Sequence, residues 1–212
     1  FAGGAIGYVA YDFGHRLERL PDPAVAEPVP EMVFGFYDTF LAFDHVENRL
    51  RLISTGRPET TAEGRRRRAQ ARADLFLMRL ERPPRGATAG EVGLDFRPTI
   101  GRETHEARVA QAIEHVLAGD VFQVNLAQRF VAPLPEGFDA LAFHARLRRE
   151  NPAPFSAFLD FGAVRIASSS PERFLEVADG RVEARPIKGT ARRHDDTAED
   201  ALAAARLATS EK

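Results

Sequence analysis

The dipeptide Asp179-Gly180 is the feature of this 212-residue chain that most constrains its fold. It joins two short strand-like segments, residues 174–178 and 181–184, and Asp-Gly between such segments is a strong β-hairpin signal. Because a hairpin reverses the chain, Glu172 and Lys188 are expected at its open end. A carboxyl group and an amine placed together suit covalent chemistry, although a surface ion pair accounts for the spacing more simply.

The length of the hairpin loop decides whether Glu172 and Lys188 share a face, because side chains alternate along a strand. A two-residue loop pairs Glu172 with Ile187 and sends Lys188 to the opposite face. A three-residue loop with Gly180 in the left-handed conformation places both on one face, where Pro186 lacks the N–H for a ladder hydrogen bond. We favour the three-residue loop.

Five motif-like segments occur in order along nearly the whole chain: Gly-Gly-Ala-Ile-Gly-Tyr at 3–8 with Tyr-Asp at 11–12, Gly-Asp-Val-Phe-Gln-Val-Asn-Leu at 119–126, Asn-Pro-Ala-Pro-Phe-Ser-Ala-Phe at 151–158, Ser-Pro-Glu-Arg at 170–173, and Pro-Ile-Lys-Gly-Thr at 186–190. They resemble motifs of the chorismate-utilising enzymes, the family of anthranilate synthase component I and aminodeoxychorismate synthase component I. The mixed order of strands and helices itself predicts an α+β fold with largely antiparallel sheets. The resemblance adds two β-sheets packed face to face with helices outside, incomplete at both ends.

Two positions separate the branches of that family. Members that add water to chorismate resemble one another in carrying a lysine where this chain has Gln123, which has no basic nitrogen. Anthranilate synthases usually carry alanine where this chain has Lys188, which resembles aminodeoxychorismate synthase. The resemblance therefore implies amination of chorismate at C4 to 4-amino-4-deoxychorismate, for para-aminobenzoate and folate biosynthesis. Anthranilate synthase component I is the alternative.

The resemblance also implies roles for four residues. Lys188 is the expected nucleophile at C2 of chorismate, and Glu172 is the expected acid that protonates the departing C4 hydroxyl. Gly189 and Thr190 are expected to contact the substrate, through a closely approaching backbone N–H and a hydroxyl.

Three residues form a candidate tryptophan pocket. Pro154, Phe155 and Ser156 fall where anthranilate synthases bind feedback tryptophan and where some aminodeoxychorismate synthases hold a tryptophan. The alternation of apolar residues over 155–161 also predicts one face of a buried strand. An amino-acid pocket and a core strand are therefore alternatives for this segment.

Further requirements follow from the resemblance. It implies Mg²⁺, with ligands beyond residue 212, and a glutamine amidotransferase subunit that supplies the ammonia that reacts with chorismate. The chain opens in a strand pattern and closes in a helical one, so we expect a fragment that is inactive alone. Residues 1–95 are the expected N-terminal lobe with its linker, and residues 96–212 the N-terminal half of the chorismate-binding region. A non-catalytic lobe or binding module is the alternative class.

Composition argues against several other kinds of protein. The net charge is −2 and the sequence pI about 6.4, which offers no electrostatic footprint for nucleic acid. The arginines at 65–68 lie in a helical pattern over about residues 61–80, where we expect a solvated helix face. No segment reaches the roughly 18 apolar residues of a membrane span. Cysteine is absent, so a reducing cytoplasm is the expected location, and the six histidines show no metal-ligand spacing.

Hydrophobic periodicity predicts the remaining elements. Residues 82–98, rich in proline and glycine, are the predicted linker. Strands are predicted at 5–11, 32–44, 49–55, 121–130, 155–161 and 163–167. Helices are predicted at about 61–80 and 138–150, with another that ends at Gly119 and a last one that opens near Thr197, where Asp200 completes a capping box.

Overall fold

The structure is a computed structural model that describes residues 3–21, 29–83 and 93–210. The chain divides into two compact units, one formed by Phe1–Gly86 with Leu147–Lys212 and the other by Ala87–Arg146. The first unit ends at Gly86 and the second begins at Ala87, inside the predicted linker of residues 82–98. Part of that linker lies outside the described residues. The two-region division at residue 95 stays a prediction.

The described part of the chain contains ten strands, four α-helices and one short 3₁₀ helix over Tyr11–Arg16. In chain order the strands and helices are β1 (Gly4–Val9), β2 (Met32–Tyr37), β3 (Thr39–Asp44), β4 (Arg49–Ser54), α1 (Ala62–Leu80), β5 (Arg97–Pro98), α2 (Arg102–Ala118), β6 (Phe130–Val131), α3 (Ala140–Glu150), β7 (Phe155–Asp160), β8 (Arg165–Ser170), β9 (Glu176–Ala178), β10 (Arg181–Glu183) and α4 (Thr197–Ala208).

All strand pairs among these elements are antiparallel. They form five two-stranded ladders, β1 with β2, β3 with β4, β5 with β6, β7 with β8, and β9 with β10. Helices combined with antiparallel hairpins confirm the predicted α+β class. Within the described residues no helix is both long and apolar enough to cross a membrane.

The predicted strand over 32–44 is two strands, because Asp38 interrupts it. The Asp38 carboxylate accepts hydrogen bonds from Arg68 Nε and Arg72 Nη2 of α1, each at 3.3 Å. Its backbone carbonyl accepts from the N–H of Thr55 at 2.9 Å. Asp38 is thus held through both its side chain and its main chain at the point where the chain passes from β2 to β3. The alternation of apolar residues along a strand does not indicate such an interruption.

Helix α1 uses its arginines in two ways. Arg65 Nε donates to the carbonyl of Glu59 at 2.8 Å, and Arg68 joins the Asp38 cluster. Arg66 and Arg67 are exposed. Arg65 is exposed as well, so the predicted solvated face is correct for three of the four consecutive arginines, and only Arg68 is half-buried. Arg65 and Arg68 also bind the chain outside the helix.

The ends of the helices follow local capping rules. Gly119, in the left-handed conformation at φ 82°, ends α2 as predicted. Helix α3 begins two residues later than predicted, because the Asp139 carboxylate accepts from the N–H groups of Leu141 and Ala142. The predicted cap of α4 is wrong by one residue, since Asp196 and not Thr197 accepts from its first free N–H groups.

The predicted strand over 121–130 is absent. Apart from its last residue, which belongs to β6, this segment is irregular, and Phe122 is 97% exposed. Its alternating pattern is real, but a strand forms only where a neighbouring strand supplies ladder hydrogen bonds. Within this predicted strand only the last residue, Phe130, has such a partner; it and Val131 pair with Arg97–Pro98.

Gly56 is required where α1 packs against the end of β4. Its φ is +68°, and an added Cβ would lie 2.1 Å from the carbonyl oxygen of Arg65. We expect Gly56→Ala to destabilise the complete protein by at least the roughly 1–2 kcal/mol that a left-handed residue with a side chain costs. The urea midpoint measures this loss.

Gly14→Ala is the matched control, because a Cβ there meets only Leu20 Cδ1 at 3.6 Å and the backbone is not left-handed. It should leave the midpoint unchanged or raise it slightly. Equal midpoints for the two variants would contradict the packing of α1 against Gly56.

Candidate active site

The hairpin that carries the predicted site has a two-residue loop, so the predicted three-residue loop is wrong. Ala178 faces Arg181 in the ladder, and Asp179 and Gly180 both have positive φ, at 51° and 74°. These angles are those of a type I′ turn, whose twist matches that of the flanking strands. Asp179 tolerates the left-handed conformation, which removes the need for a third loop residue.

The ladder is too short to decide how Glu172 and Lys188 face each other. It covers only three residue pairs and stops at Glu176 and Glu183. If it continued, Pro186 would lie opposite Arg173, and a proline cannot donate the next ladder hydrogen bond. The two predicted catalytic residues therefore lie on irregular segments beyond the strands.

Glu172 is held through its backbone by a neighbouring hydroxyl. Ser170 Oγ, at the end of β8, donates to the carbonyl of Glu172 at 3.0 Å and accepts from its N–H at 3.4 Å. The Glu172 side chain itself is exposed. Ser170 thus sets where the chain leaves β8 and leaves the carboxyl group free to act on a ligand.

Lys188 lies in the segment between β10 and α4 and is also exposed. In the described part of the chain, neither its ammonium nor the Glu172 carboxylate has a hydrogen bond or ion pair. The surface ion pair between them, the simpler reading of the spacing, is therefore not formed.

Gly189 is fixed by the helix that follows it. Its φ is +75°, and an added Cβ would approach Leu207 Cδ1 of α4 to 3.1 Å. Both the backbone angle and the nearby leucine favour glycine here. The predicted substrate-contacting pair Gly189-Thr190 therefore lies where the chain passes directly over α4.

The start of α4 anchors the other end of this segment. Asp200 accepts from Arg193 Nε at 2.8 Å and from the N–H of His194 at 3.0 Å. These two donors hold the pKa of the Asp200 carboxyl below its ordinary value, and the Arg193 hydrogen bond contributes more than that of His194. Asp196 caps the helix by accepting from two backbone N–H groups.

Arg173 is a residue of this region to which sequence reasoning assigned no role. Its guanidinium donates to Glu176 of β9 and to Glu183 of β10, and only 22% of its side chain is exposed. Arg185 also pairs with Glu183, at 2.7 Å. The sequence did contain a signal for this bridge. A two-residue loop places Glu176 and Glu183 opposite each other, and Arg173 is the nearby cation that precedes them.

The candidate tryptophan pocket begins β7. Pro154 and Phe155 are exposed, whereas Ser156 is half-buried and its hydroxyl donates to the carbonyl of Ser168 in β8 at 3.0 Å. Phe155 is 41% exposed, so it is not part of a buried strand face in the described structure. No observation tests whether these residues bind an amino acid, and the pocket stays a prediction.

Gln123 belongs to the second unit and lies in the irregular segment after α2. Its Nε2 donates to Asn125 Oδ1 at 3.4 Å, so two polar residues that alternate along this segment contact each other. Across residues 3–21, 29–83 and 93–210, no group of three or more histidine or acidic side chains is arranged to hold a metal ion. The expected Mg²⁺ ligands beyond residue 212 stay a prediction.

Comparison with known proteins identifies the family. The family model described as chorismate binding enzyme matches residues 2–212. The chain belongs to this family. The match spans both the Ser-Pro-Glu-Arg and the Pro-Ile-Lys-Gly-Thr segments on either side of the hairpin.

The similar proteins carry the names of two different enzymes. The chain is 37% identical to aminodeoxychorismate synthase component 1 of Klebsiella aerogenes, covering all of this chain and 44% of the relative. It is 36% identical to anthranilate synthase component 1 of Thermus thermophilus, with 45% of that protein covered. The crystal structure of anthranilate synthase component I from Streptococcus pneumoniae matches the whole chain with a TM-score of 0.80 at 29% identity, over 46% of its own length. This chain thus has that fold and spans less than half the length of these relatives.

The contact between Gly189 and Leu207 gives a stability prediction. Gly189→Ala should destabilise the complete protein by more than the roughly 1–2 kcal/mol cost of a left-handed alanine, because its Cβ also meets Leu207. Gly162→Ala is the control, since Gly162 has a similar φ of +80° and open space around it. Urea unfolding of both variants measures the difference. Equal losses would show that Leu207 does not press on this segment.

The ion pair of Arg193 with Asp200 gives a pH prediction. Because the folded pKa of Asp200 lies below its unfolded value of about 3.9, the ionised carboxyl stabilises the fold above about pH 4. That contribution is lost as the pH falls through the folded pKa. The difference in melting temperature between wild type and Asp200→Asn should therefore be constant near neutrality and shrink in acid. A difference that does not change down to the acid limit of folding would contradict the assignment.

Proposed function

We propose that the complete protein is an aminodeoxychorismate synthase component I. It replaces the C4 hydroxyl of chorismate by an amino group, using ammonia delivered by a glutamine amidotransferase subunit, and its product leads to para-aminobenzoate and folate. Family membership and the Klebsiella aerogenes relative support this reaction class. Since the chain spans less than half of such relatives, the activity, partner and Mg²⁺ requirement are proposals for the whole protein.

The observation that carries the proposal is the lysine at position 188. The chain contains 29 lysines and arginines, of which only two, Lys188 and Lys212, are lysines. In the described part of the chain, the ion pairs with carboxylates are formed by arginine or histidine and not by lysine. An arginine remains protonated in proteins, whereas a lysine can lose its proton and attack carbon. The use of lysine inside the Pro-Ile-Lys-Gly-Thr motif therefore favours a nucleophile over a structural charge.

The chemistry proceeds by two allylic displacements. In the first, Lys188 Nζ bonds to C2 of chorismate, the ring double bonds shift, and the C4–O bond breaks. In the second, ammonia bonds to C4, the double bonds shift back, and the C2–N bond to Lys188 breaks. The diene returns, the enzyme amine is released, and the net change is the exchange of hydroxyl for amine with loss of water.

Glu172 supplies the proton for the first departure. Hydroxide is a poor leaving group, and a carboxylic acid placed at its oxygen accelerates such a step by roughly 10²–10⁴-fold. The two hydrogen bonds between the Ser170 hydroxyl and the Glu172 backbone, one donated by each residue, support this role, because they hold the main chain while the carboxyl group stays free. Gly189 and Thr190, next to the nucleophile, are the proposed contacts to a substrate carboxylate.

Anthranilate synthase component I is the second candidate, because the Thermus thermophilus relative is nearly as similar as the aminodeoxychorismate synthases. The two reactions give different products from chorismate and ammonia. Anthranilate fluoresces directly, whereas aminodeoxychorismate yields para-aminobenzoate only after a lyase is added. Incubation of the complete protein with chorismate, ammonium and Mg²⁺, with and without that lyase, separates them.

Replacement of the nucleophile tests the mechanism. Lys188→Ala should abolish the covalent adduct between enzyme and chorismate and reduce amination strongly, because no other amine is proposed at C2. The adduct is measured by mass spectrometry of the quenched complete enzyme, and the product by the lyase-coupled assay.

Lys188→Arg is the matched control, because it keeps the positive charge and loses the nucleophile. It should be as inactive as the alanine variant. Normal amination by either variant would remove Lys188 as nucleophile. Restored activity in the arginine variant alone would leave Lys188 a purely electrostatic role.

A further inference from the structure

The hairpin beside the proposed site has two like charges directly opposite each other. Glu176 and Glu183 are paired residues at the open end of the β9–β10 ladder. Carboxylates in this relation repel each other and destabilise the pairing of the strands. The ladder is only three residue pairs long, so it has few other contacts to resist that repulsion. Its open end needs a compensating cation.

Two arginines lie at this pair of carboxylates in different ways. Arg185 pairs with Glu183, which precedes it by only two residues on the same arm of the hairpin. The Arg185 side chain is 73% exposed. Arg173 donates one guanidinium nitrogen to each glutamate and is 22% exposed. Among the described side chains, therefore, only the planar fork of Arg173 bridges Glu176 of β9 and Glu183 of β10, and its partial burial keeps it in that geometry.

The same arginine is joined directly to the proposed acid. Arg173 follows Glu172 in the chain, and the Glu172 backbone is held on its other side by Ser170. On the opposite strand, Glu183 precedes Lys188 by five residues. A guanidinium that ties Glu176 to Glu183 thus holds together the two segments that carry the acid and the amine.

We propose that Arg173 is a positioning residue for the amination reaction, which neutralises the facing Glu176 and Glu183 and so keeps the segments of Glu172 and Lys188 in reacting geometry. This inference rests on the proposed function for the identity of the reacting groups. The closure of the hairpin by Arg173 does not depend on which amine product the enzyme makes.

Arg173→Gln in the complete enzyme is the test. We expect faster hydrogen exchange of the backbone amides of residues 176–183, since the two carboxylates then repel each other without a bridge. We also expect kcat per folded molecule to fall about 10- to 100-fold, as misplaced reacting groups do, with KM for chorismate close to wild type. Circular dichroism at the assay temperature gives the folded fraction.

Arg181→Gln is the matched control, because Arg181 lies on the same hairpin and has no ion pair among the described residues. It removes the same charge and should leave exchange and kcat unchanged. The double variant Arg173→Gln with Glu176→Gln removes one of the two facing carboxylates. It should recover protection of the hairpin and much of the lost kcat.

Each result decides the proposal. Wild-type exchange and kcat in Arg173→Gln, or no recovery in the double variant, overturns it. If Arg173→Gln does not fold, Arg173→Lys is measured instead, and it should show an intermediate loss because an ammonium cannot bridge two carboxylates as a planar fork does. Hydrogen exchange and kcat equal to wild type in Arg173→Lys would overturn the bridging role. If the wild-type enzyme makes anthranilate, the proposed function fails, while the exchange results still decide the role of Arg173.

Discussion

The arrangement of the candidate site depends on the ion cluster at the open end of one short hairpin. A type I′ turn starts the hairpin and places Glu176 opposite Glu183, and the guanidinium of Arg173 lies between these two carboxylates. Arg185 adds a second cation and is the main reason that the pKa of Glu183 is below its ordinary value. Without compensating charge, a three-pair ladder with facing carboxylates would be a weak support for any residue beyond it.

Beyond the ladder, individual contacts and not a sheet position the proposed acid and nucleophile. Ser170 holds the backbone at Glu172, and the chain after Lys188 passes over Leu207 at a glycine and enters a helix capped by Asp196. Both proposed catalytic side chains, Glu172 and Lys188, are exposed and unpaired in the described structure. In this arrangement the main chain is fixed and the two proposed reactive groups are free, which suits the proposed reaction, in which Lys188 forms and breaks a bond to substrate.

Features with a local cause were predictable from the sequence. Helix α1 begins after Thr61 and α2 ends at Gly119, because a capping hydroxyl and a left-handed glycine act on their own backbone neighbours. The Asp-Gly turn was found for the same reason, although its loop length was not, since Asp179 adopts the left-handed conformation as well. The motifs around Glu172 and Lys188 led to the family, which the comparisons confirm.

Sequence by itself therefore determined the α+β class, most helix ends, the hairpin and the chemical identity of the candidate groups, because these follow from backbone preferences and residue type. Tertiary structure alone decided which alternating segments became strands, where Asp38 divides one strand into two, and that Arg173 bridges two glutamates. The reason is physical. A strand needs a neighbouring strand for its ladder, and a buried or bridging charge needs an opposite charge. The neighbouring strand or the opposite charge lies elsewhere in the chain or on another strand, where local sequence preferences do not reach.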